Sequence, residues 1–270
     1  MHSHSRIILF TFMFILLLFS CRKGVNDEHV SVLRKKLQSP QDIENIDSSL
    51  VKPWDYTNAL SLAKLPVEEK KRKFIHMMLP AILVAKEHIK KKREWVGGIS
   101  NEDTASFVPE DKEILLDLMQ SYRAENTRQL MRKLTPPPNS LVLAQAALES
   151  GWGTSRFFTE ANNVFGIWSF DSKEPRMKSR FSRGDTDVYL KKYEYLSASI
   201  EDYYRTIARG PYRAFRIKNM KTDNPYELIP LLNRYSENDS IYAIRLKYVI
   251  KFNDLLKYDN YRIDPRYLKN

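Results

Sequence analysis

Ser140 to Gly166 reads SLVLAQAALESGWGTSRFFTEANNVFG. Pro136 to Pro138 precede it and cannot continue a helix, while Asn139 or Ser140 can cap the next one. Leu141, Val142, Leu143, Ala144, Ala146, Ala147 and Leu148 then place apolar side chains on every face, which marks a buried helix. Ser150 and Gly151 end it, with Gly151 suited to the left-handed cap. The polar members before the turn are Gln145 and Glu149, spaced i,i+4 and therefore pointing the same way one turn apart.

Glu149 falls in the last turn, where the negative end of the helix dipole disfavours an ionised carboxylate. Trp152 beside it can strip water from the carboxyl, a second push on the pKa in the same direction. A carboxyl kept protonated near neutral pH is what a general acid needs, because it must hand a proton to a leaving oxygen.

Ala144 to Gly153, AQAALESGWG, followed by Asn162-Asn163-Val164-Phe165-Gly166-Ile167, closely resembles the signature of the glucosaminidase domain of glycoside hydrolase family 73, in its Bax-like branch. The resemblance implies a mainly α (α+β) fold, a lysozyme-like core with a small β lobe and a helical N-terminal extension. It implies action on bacterial cell-wall glycan and puts Glu149 on the catalytic acid position. The Asn-Asn loop would line the glycan cleft, with Asn163, Phe165 and Trp168 facing sugar. Read without the family, the asparagines make a tight turn and the aromatic residues pack in the core. Tyr235-Ser236, followed by Tyr242, resembles the family's Tyr-Ser element, which sets Tyr235 beside the acid to orient the reacting acetamido group. Gln145, Trp152 and Ser236 complete the expected substrate-contacting set.

Most glycosidases use two carboxylates. Here the candidates for a second are Glu174, Asp185 and Asp187, and none sits in a motif that matches the family. Two routes stay open. Either the substrate's own N-acetyl carbonyl attacks the anomeric carbon while Glu149 protonates the leaving oxygen, or one of the three acids activates water on the opposite face. The expected activity is an endo-β-N-acetylglucosaminidase cutting the GlcNAc-β-1,4-MurNAc bond of peptidoglycan. The alternatives are a lytic transglycosylase and a non-catalytic glycan-binding envelope lipoprotein.

Outward from this centre, Arg6 precedes an apolar run from Ile7 to Phe19 broken only by Thr11, the length of a signal h-region and short for a membrane span. Leu18-Phe19-Ser20-Cys21 resembles a lipobox, so residues 1–21 read as a lipoprotein signal with Cys21 acylated. Cys21 is the single cysteine among 270 residues, which excludes an intrachain disulfide. The expected location is the bacterial envelope, in the periplasm or at the outer membrane, lipid-anchored to the membrane through Cys21. Residues 22–60 are polar and read as a tether. Residues 61–135 read as the helical extension, with helices from Pro66 to Trp95, kinked or split at Pro80, and from Pro109, with Gly97-Gly98 and Ser100-Asn101 as a break between them. Arg123 to Leu134 continues in helical pattern, and residues 136–262 form the catalytic domain.

Lys and Arg outnumber Asp and Glu by 44 to 33, a formal net charge of +11, which suits an acidic polymer. Peptidoglycan strands are the expected partner. No nucleic-acid motif accompanies the charge, so no nucleic-acid partner is expected. The five histidines are scattered and no glycine-rich nucleotide loop occurs, so neither metal nor cofactor is expected.

Overall fold

The first turn of the helix that carries Glu149 is not capped by its own neighbours. Its N-cap is Pro138, which offers no side-chain acceptor. Instead Asp259, 119 residues further on, accepts the Ser140 N–H and the Ser140 hydroxyl, each at 2.7 Å. Asn139 is drawn elsewhere: its amide donates to the Tyr258 carbonyl at 2.7 Å and accepts from the Lys86 ammonium at 2.7 Å. The helix start is thus a tertiary construction, and local capping by Asn139 or Ser140 is corrected accordingly.

The structure is a computed structural model describing residues 29–99, 108–184, 186–232, 235 and 239–269. The chain runs β1 (Leu33–Lys35), β2 (Leu50–Val51), β3 (Trp54–Tyr56), α1 (Val67–Ile99), α2 (Pro109–Tyr122), α3 (Thr127–Lys133), α4 (Asn139–Ser150) and α5 (Arg156–Ala161). It continues through β4 (Arg176–Arg183), β5 (Thr186–Lys191), α6 (Leu196–Arg209), α7 (Arg213–Asn219), α8 (Pro225–Leu228), α9 (Asp239–Phe252) and β6 (Arg262–Ile263). The architecture is mainly α with a small β part, as expected. α4 is central, packing against α1, α9 and the 3₁₀ segment Leu255–Asn260. Leu141, Val142 and Leu143 are buried along it, each stabilising the fold by roughly 1.5–3 kcal/mol.

Among the described residues the strands make three two-stranded sheets. β1 pairs in parallel with β3, β2 in parallel with β6, and β4 antiparallel with β5. The first two overturn the tether reading for residues 29–60. This stretch is woven into the domain, with Leu37, Ile43, Val51, Asp55 and Tyr56 buried. Its polar composition misleads because much of the stretch wraps a surface. One core cluster runs from Val30 to Ile263, so residues 61–135 share their core with the residues behind Glu149.

α1 is one continuous helix of 33 residues with Pro80 inside it, and it passes Gly97 and Gly98 before ending at Ile99. Of the expected kink or split at Pro80 the split is corrected, and so is the break at the glycines; Ser100 and Asn101 lie outside the described residues. Proline in a helix interior costs about 3 kcal/mol, which burial of Met77, Met78, Leu79, Ala81 and Ile82 around it offsets. α2 opens on Pro109 as read, with Ile114, Leu115, Leu118 and Met119 turned inward. The helical pattern from Arg123 is interrupted, because Arg123 adopts φ 50° as the cap of α2 and α3 restarts behind Asn126.

α6 is capped as α4 is. Asp55, on β3, accepts the Ser197 N–H at 3.0 Å and the Ser197 hydroxyl at 2.7 Å from 142 residues away. Burial pushes the Asp55 carboxyl up to about 6, against the two Ser197 hydrogen bonds that pull it down. Asp55→Ala leaves two buried donors unpaired and should cost about 3 kcal/mol in urea unfolding. The unfolded carboxyl ionises at 3.8 and the folded one only near 6. Wild-type stability should therefore fall as pH rises through that window, a slope that Asp55→Ala lacks.

Candidate active site

Three consecutive left-handed residues turn the chain immediately after Glu149 and Ser150: Gly151 at φ 60°, Trp152 at 57° and Gly153 at 79°. Gly151 caps α4 as expected. A non-glycine residue in this region costs on the order of 1 kcal/mol, and Trp152 is held there by its N–H on the Ala147 carbonyl at 2.8 Å. Its ring lies edge-on to Phe74 at 5.6 Å, with the Lys71 ammonium over it. A Cβ on Gly153 would stand 3.2–3.3 Å from Phe74, Leu62 and Phe158. Gly153→Ala combines that crowding with a strained φ, and thermal unfolding should show a loss of about 2 kcal/mol.

Glu149 opens to solvent along one side, yet the surrounding walls remove enough water to raise its carboxyl above the ordinary 4.5. Against this desolvation, a hydrogen bond from Tyr242 pulls the pKa down.

Behind the carboxyl runs a chain of buried hydrogen bonds. The Tyr203 hydroxyl donates to Gln145 Oε1 at 2.5 Å, and Gln145 Nε2 donates to the Tyr242 hydroxyl at 3.1 Å. Tyr242 then donates to Glu149. Burial raises the pKa of both tyrosines, so they stay protonated and keep donating. Gln145 is fully buried, which corrects its expected role. It points the same way as Glu149, but it orients the tyrosine that orients Glu149 and has no surface left for a sugar.

Tyr235 is half-buried and joins this cluster. Its ring stacks on Tyr242 at 5.6 Å, meets Tyr203 edge-on at 6.2 Å, and lies close enough to Glu149 for that charge to raise its pKa. Tyr235 and Glu149, 86 positions apart in sequence, thus come together. Ser236, Asp185 and Cys21 lie outside the described residues.

The Asn-Asn loop is built differently from its expected use. Asn163 is buried, donates to the carbonyls of Ile167 and Lys191 at 2.9 Å each, and accepts the Ile167 N–H at 2.9 Å. With its amide so occupied it shapes the loop, and the sugar-facing expectation for it is corrected. Asn162, at φ 52°, clamps the loop to the N-terminal belt through the Ala59 N–H and the Thr57 carbonyl. Phe165 is also buried, stacked on Tyr203 at 4.1 Å, so it supports the tyrosine chain from behind. Trp168 is exposed, tilted against the still more exposed Phe170.

Of the second-carboxylate candidates, Glu174 faces Lys191 at 3.3 Å and Asp187 faces Lys178 at 2.7 Å, both in the β4–β5 lobe. Among the described residues no group of three His, Cys, Asp or Glu side chains could hold a metal ion. Sequence reasoning gave Tyr203 no part in the site and named Tyr242 after the Tyr235-Ser236 element without assigning it a role. The available signal was that a buried tyrosine needs a partner for its hydroxyl.

With this geometry in place, the comparison with known proteins is decisive at the family level. Residues 124–268, more than half of the chain, match the family model described as mannosyl-glycoprotein endo-beta-N-acetylglucosaminidase. The chain belongs to this glucosaminidase family. Protein bax of Escherichia coli (strain K12) is 31% identical to the glucosaminidase chain over 106 residues, which cover 36% of this chain and 38% of that protein. Among solved structures, the catalytic domain of the autolysin Auto from Listeria monocytogenes aligns at 23% identity and a TM-score of 0.40, covering 73% of this chain and 90% of its own. The glycoside hydrolase domain of Salmonella typhimurium FlgJ aligns at 26% identity and a TM-score of 0.37, covering 54% of this chain and 89% of its own.

Proposed function

We propose that this glucosaminidase-family chain is a peptidoglycan hydrolase that cleaves the GlcNAc-β-1,4-MurNAc bond as an endo-β-N-acetylglucosaminidase, with Glu149 as general acid. The observation that carries the reading is the Glu149 carboxyl itself, raised in pKa by its walls and aimed by Tyr242 at the end of a buried hydrogen-bond chain.

Protonated Glu149 gives its proton to the glycosidic oxygen as the bond from that oxygen to the anomeric carbon breaks. The acetamido carbonyl oxygen of the same sugar attacks the anomeric carbon and forms a cyclic oxazolinium. Glu149, now a carboxylate, takes a proton from the water that opens this ring, which restores the acid. Tyr235, stacked beside Tyr242, orients the acetamido group. The lysine partners of Glu174 and Asp187 support this route over one in which either of these two carboxylates is the base. Exposed Trp168 offers a ring face for sugar stacking. The lipid anchor at Cys21 and the envelope location belong to the same proposal and rest on the sequence of residues 6–21.

Borohydride reduction of the digested glycan tests the bond assigned. Newly reduced N-acetylglucosaminitol is the expected product. N-acetylmuramitol would make the chain a muramidase, and anhydromuramyl ends without a new reducible sugar would make it a lytic transglycosylase.

A further inference from the structure

α9 has two faces, and the catalytic account uses one. Tyr242, Leu246, Val249 and Ile250 are buried against the core, with Tyr242 beside Glu149. On the opposite side Ile241, Ile244, Tyr248 and Phe252 recur at spacings of three and four, which aligns them in one stripe along the helix. They are 45%, 66%, 58% and 63% exposed. The Tyr248 and Phe252 rings stack on each other at 4.0 Å, so the stripe is ordered before anything covers it. Isolated exposed apolar residues need no explanation, but a contiguous row of four large ones does.

The stripe is bordered by cations. Arg245 lies along one edge and Lys247 and Lys251 along the other, all three exposed. No carboxylate occurs between Ile241 and Asn253, and among the described residues none of the three cations is paired with one. Beyond the end of the helix, Phe252 also borders a groove lined by Lys71, Arg72 and Lys257 together with Glu68, the partner of Lys71.

We propose that this face of α9 lies on an anionic lipid surface, with Ile241, Ile244, Tyr248 and Phe252 entering the acyl boundary and Arg245, Lys247 and Lys251 meeting the headgroups. An apolar stripe between rows of Lys and Arg is the form of a helix that lies in a membrane interface. An acidic glycan would engage the cations but leaves the two isoleucines without a role, since a branched alkyl chain neither stacks on sugar nor hydrogen-bonds. A second copy would cover the stripe, but across a two-fold axis it sets cation against cation with no intervening carboxylate. Because the buried face of the same helix carries Tyr242, such docking holds the catalytic cleft at a fixed height over the lipid.

The test uses the full chain with Cys21→Ser and Phe252→Cys, labelled at position 252 with an environment-sensitive fluorophore. Ile244→Cys serves as an independent second position. The apolar run of residues 7–19 can bring the chain to any vesicle, so the readout is the environment of the label and not binding as such. Vesicles of mixed phosphatidylglycerol and phosphatidylcholine should shift its emission to the blue and make it quenchable by brominated acyl chains, whereas pure phosphatidylcholine should do neither. Neutralising the cations with Arg245→Gln, Lys247→Gln and Lys251→Gln should weaken the lipid titration about a hundredfold, since each charge near such a surface contributes about a fivefold factor. A label that stays in water on anionic vesicles overturns the proposal, as does an equal shift on neutral ones. A blue shift without lipid also overturns it, assigning the stripe to a second copy if the shift grows with protein concentration and to residues 7–19 of the same chain if it does not.

Discussion

Glu149→Gln should lower the turnover of purified peptidoglycan by about a thousandfold, within the range that a lost general acid costs. The replacement is nearly isosteric and still accepts the Tyr242 hydrogen bond, and position 149 opens to solvent on one side. The fold should therefore be unmoved, with the melting temperature unchanged by differential scanning fluorimetry. Glutamine cannot release the proton that the glycosidic oxygen needs, so binding of insoluble glycan persists while product formation stops. Glu174→Gln and Asp187→Asn are the matched controls. Each removes a carboxylate already engaged by a lysine in the β4–β5 lobe and should leave turnover within a few-fold of wild type. A thousandfold loss in either would instead place a protein base or nucleophile in that lobe.

Tyr242→Phe should act on both stability and chemistry. Without the phenolic oxygen, buried Gln145 Nε2 loses its acceptor, a cost of about 1–3 kcal/mol in unfolding free energy. Glu149 loses the donor that aims it, and kcat should fall by about ten- to a hundredfold, as catalytic groups do when displaced. The pH dependence supplies the sign. Tyr242 lowers the Glu149 pKa by bonding the ionised form, so its removal raises that pKa further. A general acid works only while protonated, and kcat/KM declines as pH rises through its pKa. The alkaline limb should accordingly move to higher pH in Tyr242→Phe although the maximum is lower. A purely structural tyrosine would reduce the amount of active enzyme and leave the limb in place.

What the sequence makes legible is local. Gly151 ending α4 and Pro109 opening α2 each depend on residues within one helical turn. The alternation in residues 188–193 marks β5 for the same reason. The rest depends on partners distant in sequence. Asp259 and Asp55 cap α4 and α6 across 119 and 142 residues, and no capping rule applied to a window can find them. The belt of residues 29–60 is polar in composition yet ordered by pairing with β6 and packing on α1. At the site, i,i+4 spacing places Gln145 and Glu149 on one side of α4 but does not say that one is buried and the other open. Asn163 and Phe165 lie in the loop after α5, and only their hydrogen bonds and stacking show that they brace it from within.

The most direct measurement is a ¹³C NMR titration of the Glu149 side-chain carboxyl, assigned by its absence in Glu149→Gln. The expected midpoint lies above the ordinary 4.5 and moves higher still in Tyr242→Phe. A midpoint at or below 4.5, or one that Tyr242→Phe leaves unchanged, would contradict a carboxyl held protonated by its cleft and aimed by Tyr242.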